Sequence, residues 1–445
     1  MNLIASLYVS IPFILLLSGI VSGMTVFSRM VPRLVLAACI ASFCLATGSL
    51  LGTLFHSESG NSGFLIELKH AIVVLVTGLS AVLVKYSQNY MAGEPRAEQF
   101  YRWFALTAAS VTLVIVSDHL VLLWLGWVSI GLSFHQLLLF YPERPRAMLA
   151  AHKKFIFNRC AELSLLLALM LLGWHHQSWS VSDIISHYVA SEEPAELAFI
   201  EHFAALMLVL TALIKCAQMP VHGWLIQVVE APTPVSALLH AGIINLGGYL
   251  IILFGSLILS SPVAKWTLFT VAAMTMVVAS TVMLTRISVK VKLAWSTNAQ
   301  MGLMLVECAM GLFHLAILHL FLHSFYKAYA FLSAGNAVRA GFQSSLTPVS
   351  STSPITVLFI CSFVSAGLLA IFHWAQLNTA MSPLLLVLVG LMLLPMLGRR
   401  RKQWSAALHL TLLSALALAF YLWMSVTLAS WQDLPESLSV TFMSA

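Results

Sequence analysis

The sequence predicts an all-α fold, a polytopic transmembrane bundle of about 14 helices built as a single integral membrane domain over residues 1–445. Three observations carry that prediction. Hydrophobic residues make up 60% of the chain, charged residues 9%, and the mean hydropathy is +0.94, so the chain cannot present a polar surface to water on all sides. Its apolar segments run to about 17–25 residues, the length a helix needs to cross a bilayer, whereas strands would need only about ten alternating residues. The loops between the segments alternate between basic and acidic.

Candidate spans begin near Ala5, Val31, His70, Trp103, Leu120, Phe155, Phe203, Val235, Trp266, Lys292, Leu315, Ile355, Ser382 and Ala406. The first, Ala5 to Gly23, has no Lys or Arg ahead of it, as a secretory signal would, and is expected to be a retained helix. Numbered from the first helix, every second loop is basic. These loops hold Arg29 and Arg33; Lys85, Arg96 and Arg102; Arg144, Arg146, Lys153 and Lys154; Arg286, Lys290 and Lys292; Arg339; and Arg399, Arg400, Arg401 and Lys402. The intervening loops hold Lys69 and Lys265 against Glu58, Glu67, Asp183, Glu192, Glu193, Glu196 and Glu201. The positive-inside rule then puts the basic loops in the cytoplasm and both termini outside it. Spreading the net charge of +6 over short juxtamembrane loops also argues against nucleic acid as a partner.

The longest loop, Trp174 to Ala198, is expected to carry an amphipathic surface helix or a short lid. Its adjacent His175 and His176 would point about 100° apart on a helix and are expected to be poor joint metal ligands. Cys39, Cys44, Cys160, Cys216, Cys308 and Cys361 are scattered singly, which suggests neither a disulfide framework nor a zinc site. No cofactor is expected in this chain.

The membrane pattern is broken between Leu213 and Tyr249. Lys215 ends an apolar run, Pro220 is expected to cut that helix by removing a backbone donor, Glu230 and two prolines follow, and His240 lies about two turns into the next span. A snorkelling lysine is the plain alternative, but Lys215 lies fourteen residues, roughly 21 Å of helix, beyond Glu201, which is too deep to reach that interface easily. Ionisable groups beside broken helices are how ion pathways are built.

In the eleventh span His319, His323 and Lys327 recur every fourth residue and share one face, with roughly 6 Å of rise between neighbours. They read as a proton relay against the alternative of packed core histidines. Arg159 and Glu162 are three apart in the sixth span and can pair, either structurally or in support of the path. Asp118 and Glu307 fall near expected helix ends, where hydration would suffice for them.

The segment Lys215-Cys-Ala-Gln-Met-Pro-Val-His-Gly-Trp-Leu, then Glu230-Ala-Pro-Thr-Pro-Val-Ser-Ala-Leu-Leu-His240, resembles the signature of the antiporter-like membrane subunits shared by respiratory complex I and Mrp cation/proton antiporters. So does His319-Leu-Phe-Leu-His323-Ser-Phe-Tyr-Lys327-Ala, and the likeness extends from about Trp103 to Val338. The resemblance implies two inverted repeats, at residues 103–260 and 266–397, with a broken helix at Pro220 in the first. It makes Lys215 the central protonation switch, continued by His240, with His319, His323 and Lys327 carrying protons onward; Glu230, ionisable and beside the same broken helix, is read from the residues as part of the path.

Within that family the chain most resembles the shortened membrane subunits of DAB-type inorganic-carbon accumulation complexes. This likeness implies a bacterial inner-membrane subunit in which H+ or Na+ flux drives CO2 or bicarbonate uptake, bound to a large cytoplasmic partner resembling a zinc carbonic anhydrase. CO2 hydration and the zinc would then belong to the partner. The alternatives are a subunit of an Mrp-type antiporter, of complex I or of a hydrogenase, or a scaffold that has lost conduction. Three departures separate the chain from a complex I subunit. Val128 stands where the family usually places a glutamate beside the switch lysine, the lysine or acid expected in the twelfth span is missing from Ile355 to His373, and the long C-terminal lateral helix of the respiratory subunit is absent.

Overall fold

A computed structural model describes residues 3–24, 30–56, 63–189 and 197–336, and up to Gly335 these belong to one compact unit. The described residues form helices and one isolated β-bridge, His119 to Ser180. The chain runs α1 Leu3–Val21, α2 Val31–His56, α3 Gly63–Tyr90, α4 Ala97–Val116, α5 Leu120–Leu138, α6 Pro145–His175, α7 Val181–Val189 and α8 Phe199–Lys215. It continues through α9 Gly223–Gln227, α10 Thr233–Ala241, α11 Leu246–Leu253, α12 Gly255–Ser260, α13 Pro262–Leu284, α14 Val289–Ala309 and α15 Phe313–Leu332. Eight stretches among the described residues are long and apolar enough to cross a membrane. The fold class is therefore the expected one, and the first eleven candidate spans each correspond to a helix or a pair of helices. The candidate spans at Ile355, Ser382 and Ala406 lie outside the described residues.

Local chemistry explains several boundaries. Pro145 and Pro262 sit in the first turns of α6 and α13, where the missing amide hydrogen costs nothing and the fixed φ favours a helix. Starting at Pro145 gives α6 ten residues before the expected span start at Phe155, and so draws Lys153 and Lys154 out of the loop and onto the helix. Between α4 and α5 the backbone is held by the α6–α7 connection, with Leu120 N donating to Trp179 O at 3.0 Å and Val181 N to Asp118 O at 2.7 Å. The long loop carries a surface helix, α7, which buries Val181, Ile184 and Ile185.

α8 packs against α6, α11 and α13; α10 and α14 both pack on α15. Outward-facing Leu17, Ile156, Leu163 and Val277 leave an apolar exterior suited to lipid. Titratable and polar side chains turn inward along α6, α8, α10, α14 and α15.

Candidate functional site

The first helix break is placed differently from the sequence expectation. The α-turns of α8 end at Lys215 itself, five residues before Pro220, and the chain leaves the helix through Ala217 at φ +53°. Pro220 lies in the turn beyond. Met219 N, freed from the helix, donates to Thr275 Oγ1 of α13 at 3.0 Å, and Gln218 Nε2 donates to Cys216 O at 2.9 Å.

A second break, which the apolar sequence concealed, divides the span 233–253 at Gly242 into α10 and α11, joined by a 3-10 turn over Ile243–Asn245. The two breaks meet. Cys216 Sγ donates to the Ile244 carbonyl at 3.4 Å, and Asn245 Nδ2 donates to Ala241 O at 3.1 Å and to Ser324 Oγ of α15 at 2.7 Å. Carbonyls released by non-helical backbone inside an apolar bundle thus find side-chain donors, the condition for such breaks to persist at membrane depth.

Lys215, on the last turn of α8, donates to Glu162 Oε1 at 3.2 Å. The other carboxylate oxygen of Glu162 lies 2.6 Å from Arg159 Nη2. Glu162, with a side chain 4% exposed, therefore holds two cations at once. Trp127 of α5 puts its ring 5.1 Å from Lys215 Nζ. Val128 leaves Lys215 without the expected α5 carboxylate, but the lysine does not lack an anion, because α6 provides one. The close approach depends on Gly131, one turn beyond Val128 on α5. A β-carbon there would stand 2.5 Å from Glu162 Oε1 and 2.6 Å from Arg159 Nη2.

Lys154 belongs to this cluster and was not legible in the sequence, where its neighbours Arg144, Arg146 and Lys153 make it one of a basic loop. It is buried at 2% exposure with its Nζ 4.8 Å over the Phe134 ring. The amine has no hydrogen-bond partner among the described residues and stands within electrostatic reach of Lys215, Glu162 and Arg159.

A second buried cluster joins α10, α14 and α15. His240, fully buried, stacks on Phe331 at 4.4 Å between ring centroids and pairs through Nδ1 with Thr297 Oγ1 at 3.0 Å. Thr297 Oγ1 donates to the Leu293 carbonyl at 3.0 Å, and the same carbonyl accepts from Lys327 Nζ at 3.0 Å. Lys327 also donates to Ser296 Oγ at 2.8 Å. A polar chain thus runs from His240 through Thr297 and the Leu293 carbonyl to Lys327.

His323 is buried with neither ring nitrogen bonded among the described residues, and lies within electrostatic reach of Lys327, His319 and His240. The rings of His319 and His323 are 6.1 Å apart. His319 is held by Glu307 at 3.1 Å and by Gln300 at 2.8 Å. Glu307 is thus a buried partner of His319 on α14 rather than a hydrated helix end.

Glu230 stands apart from both clusters. Its side chain is exposed and its carbonyl accepts from Arg144 at 3.5 Å, on the side where the basic loops gather. Asp118 is exposed, 3.5 Å from Lys69 and bonded by Ser180 and Ser182.

Buried amines, imidazoles and carboxylates thus lie on apolar helices, one set beside the two helix interruptions, and such groups can exchange protons or cations. Residues 117–372 match the family described as NADH:quinone oxidoreductase/Mrp antiporter, transmembrane. The chain is 46% identical to the probable inorganic carbon transporter subunit DabB of Hydrogenovibrio crunogenus, over 87% of this chain and 75% of that one. It is 39% identical to the probable inorganic carbon transporter subunit DabB2 of Halothiobacillus neapolitanus, over 78% of this chain and 63% of that one. In fold it resembles the Mrp complex from Dietzia sp., with a TM-score of 0.61 at 22% identity, covering 93% of this chain and 46% of that chain. It thus spans three quarters of the first relative's length and less than two thirds of the second's. The chain belongs to the transmembrane family of NADH:quinone oxidoreductase and Mrp antiporter subunits.

Proposed function

We propose that the protein is the ion-conducting membrane subunit of an energy-coupled inorganic-carbon accumulation complex, in which H+ or Na+ flux drives a large cytoplasmic, carbonic-anhydrase-like partner of the DabA type. The reading is supported by the identity to the two inorganic carbon transporter subunits. The observation that carries conduction is the Lys215–Glu162–Arg159 triad, centred on a buried carboxylate at the end of a broken helix.

Lys215 is the switch, and its affinity for a proton depends on whether Glu162 faces it or Arg159. Lys154 extends the cluster toward the basic loops. His240, Thr297, Lys327, His323 and His319 form the second half of the path, and Glu230 sits at an exposed mouth. Of the residues implied to form two inverted repeats, 103–260 would hold the Lys215 cluster together with His240, and 266–397 would hold Thr297, His319, His323 and Lys327. The partner docks on the face of the basic loops, taken as cytoplasmic in the bacterial inner membrane, and holds the zinc that hydrates CO2.

A scaffold without conduction would be under no demand to keep ionisable groups in apolar spans, where each charged form costs several kcal/mol. The Mrp-like fold leaves a cation/proton antiporter as the second reading, since one fold serves many functions. Purifying the complex from its native membrane and assaying it for carbonic anhydrase activity separates them. A large co-purifying zinc protein needed for growth at low CO2 is the expected result. Co-purification with further antiporter subunits, and growth that depends on sodium export instead, would overturn it.

A further inference from the structure

At the end of α6 the sequence places two adjacent histidines that ideal helix geometry would point apart. The helix stops there. His175 is its last residue, His176 its cap, and Gln177 turns away at φ +51°. Both imidazoles consequently face one carboxylate on the first turn of α8. His175 Nε2 lies 3.8 Å from Glu201 Oε2, and His176 Nε2 lies 3.6 Å from Glu201 Oε1. One ligand atom from each of the three residues falls within 4.8 Å of the other two.

Neighbouring ligand atoms around a tetrahedral zinc with bonds of about 2.0–2.2 Å are separated by roughly 3.3–3.6 Å. The two spacings to the carboxylate, 3.8 and 3.6 Å, are within a few tenths of an ångström of that range, and the remaining one, within 4.8 Å, closes by a small turn of the His175 ring. The carboxylate is already fixed, since Oε2 accepts from Ala198 N at 2.7 Å and Oε1 from the Tyr188 hydroxyl at 2.6 Å. That hydroxyl is also 2.6 Å from His176 Nε2, a contact that metal ligation through Nε2 would replace, so α7 braces the carboxylate and lies beside the imidazole. The His187 ring lies 4.9 Å from that of His176.

We propose that His175, His176 and Glu201 form a binding site for a divalent transition-metal ion of the zinc class, on the face of the membrane opposite the basic loops. Two imidazoles and one carboxylate suit zinc, cobalt or nickel, whereas calcium and magnesium seek shells made of oxygen alone. Three protein ligands leave a fourth position, which the Tyr188 hydroxyl or water fills. The ion would tie the end of α6 to the start of α8, the two helices that carry Glu162 and Lys215.

The test is titration of the full chain, in lipid nanodiscs and without its partner, with Zn2+ by competition against a chromogenic chelator and with Co2+ by visible absorption. One high-affinity site and the intense cobalt bands of a four-coordinate centre are expected. His175→Ala, at an exposed position, should weaken binding at least about tenfold, a free energy of roughly 1.4 kcal/mol. His176→Ala and Glu201→Gln should abolish the cobalt bands. Absence of a stoichiometric site, or wild-type affinity in folded His175→Ala, would overturn the proposal. Because His175 packs little, loss of fold cannot mimic its result.

Discussion

Glu162 is shared between Lys215 and Arg159, and that sharing would set the energetics of the proposed switch. A carboxylate 3.2 Å from one cation and 2.6 Å from another ties both into a single ion-pair network, and release of either leaves it to the other. Removing one member of such a buried pair typically costs about 3–5 kcal/mol, so Glu162→Gln should lower the amount of folded protein as well as its activity. Transport per assembled complex is therefore the proper measure, and it should fall at least about tenfold, equal to roughly 1.4 kcal/mol on the barrier. Transport per complex equal to wild type would show that the triad only fastens helices together. In the second cluster, Lys327→Ala should lose much more activity than Lys327→Arg, with His323→Ala between them, because water can replace one imidazole but not the terminal amine. Losses that follow side-chain volume and appear as less protein in the membrane would instead mean packing. Lys215, His240 and the His319, His323, Lys327 series were legible because a charge or imidazole inside an apolar run has few structural uses. Lys154 and Glu307 were not, since each lies near an expected helix end, and only the true length of α6 and the packing of α14 on α15 show them buried.

At the scale of helices, two interruptions face one another, and Cys216 of the first satisfies the Ile244 carbonyl of the second. The approach of α11 to α8 is set by Gly247, where a β-carbon would overlap Cys216 Sγ. The approach of α6 to α5 is set by Gly131. Gly131→Ala should therefore push Glu162 and Arg159 off their present positions, costing about 1–3 kcal/mol by overpacking and reducing transport although no ionisable group is changed. A thermal unfolding curve and an uptake rate both like those of wild type would refute the close approach. The break after Lys215 was visible in sequence through its prolines, yet the helix ends before Pro220 because Ala217 takes a left-handed conformation. The break at Gly242 was hidden, since Gly-Ile-Ile-Asn carries no proline and lies in a run that reads as one continuous span. Likewise, the pointing of His175 and His176 toward Glu201 depends on where α6 stops, which periodicity does not give.

Over the whole molecule, the proposed function couples ion movement through this subunit to carbon uptake. Uptake in cells should stop when the proton gradient is collapsed by an uncoupler and the sodium gradient is dissipated with it, and persistence under both conditions would exclude any ion-driven mechanism. Protease protection in oriented vesicles should find the partner on the face of the basic loops, and a partner on the opposite face would contradict the docking proposed here. The most direct test is ion flux into liposomes containing the purified complex, measured with a pH-sensitive dye and with a sodium indicator, for wild type and Lys215→Ala at equal amounts of assembled complex. A flux of one of these ions is expected in wild type and a loss of at least about tenfold in the variant, equal to roughly 1.4 kcal/mol on the barrier. Equal flux in the two proteins, or none in either while carbon uptake continues in cells, would contradict the proposed function.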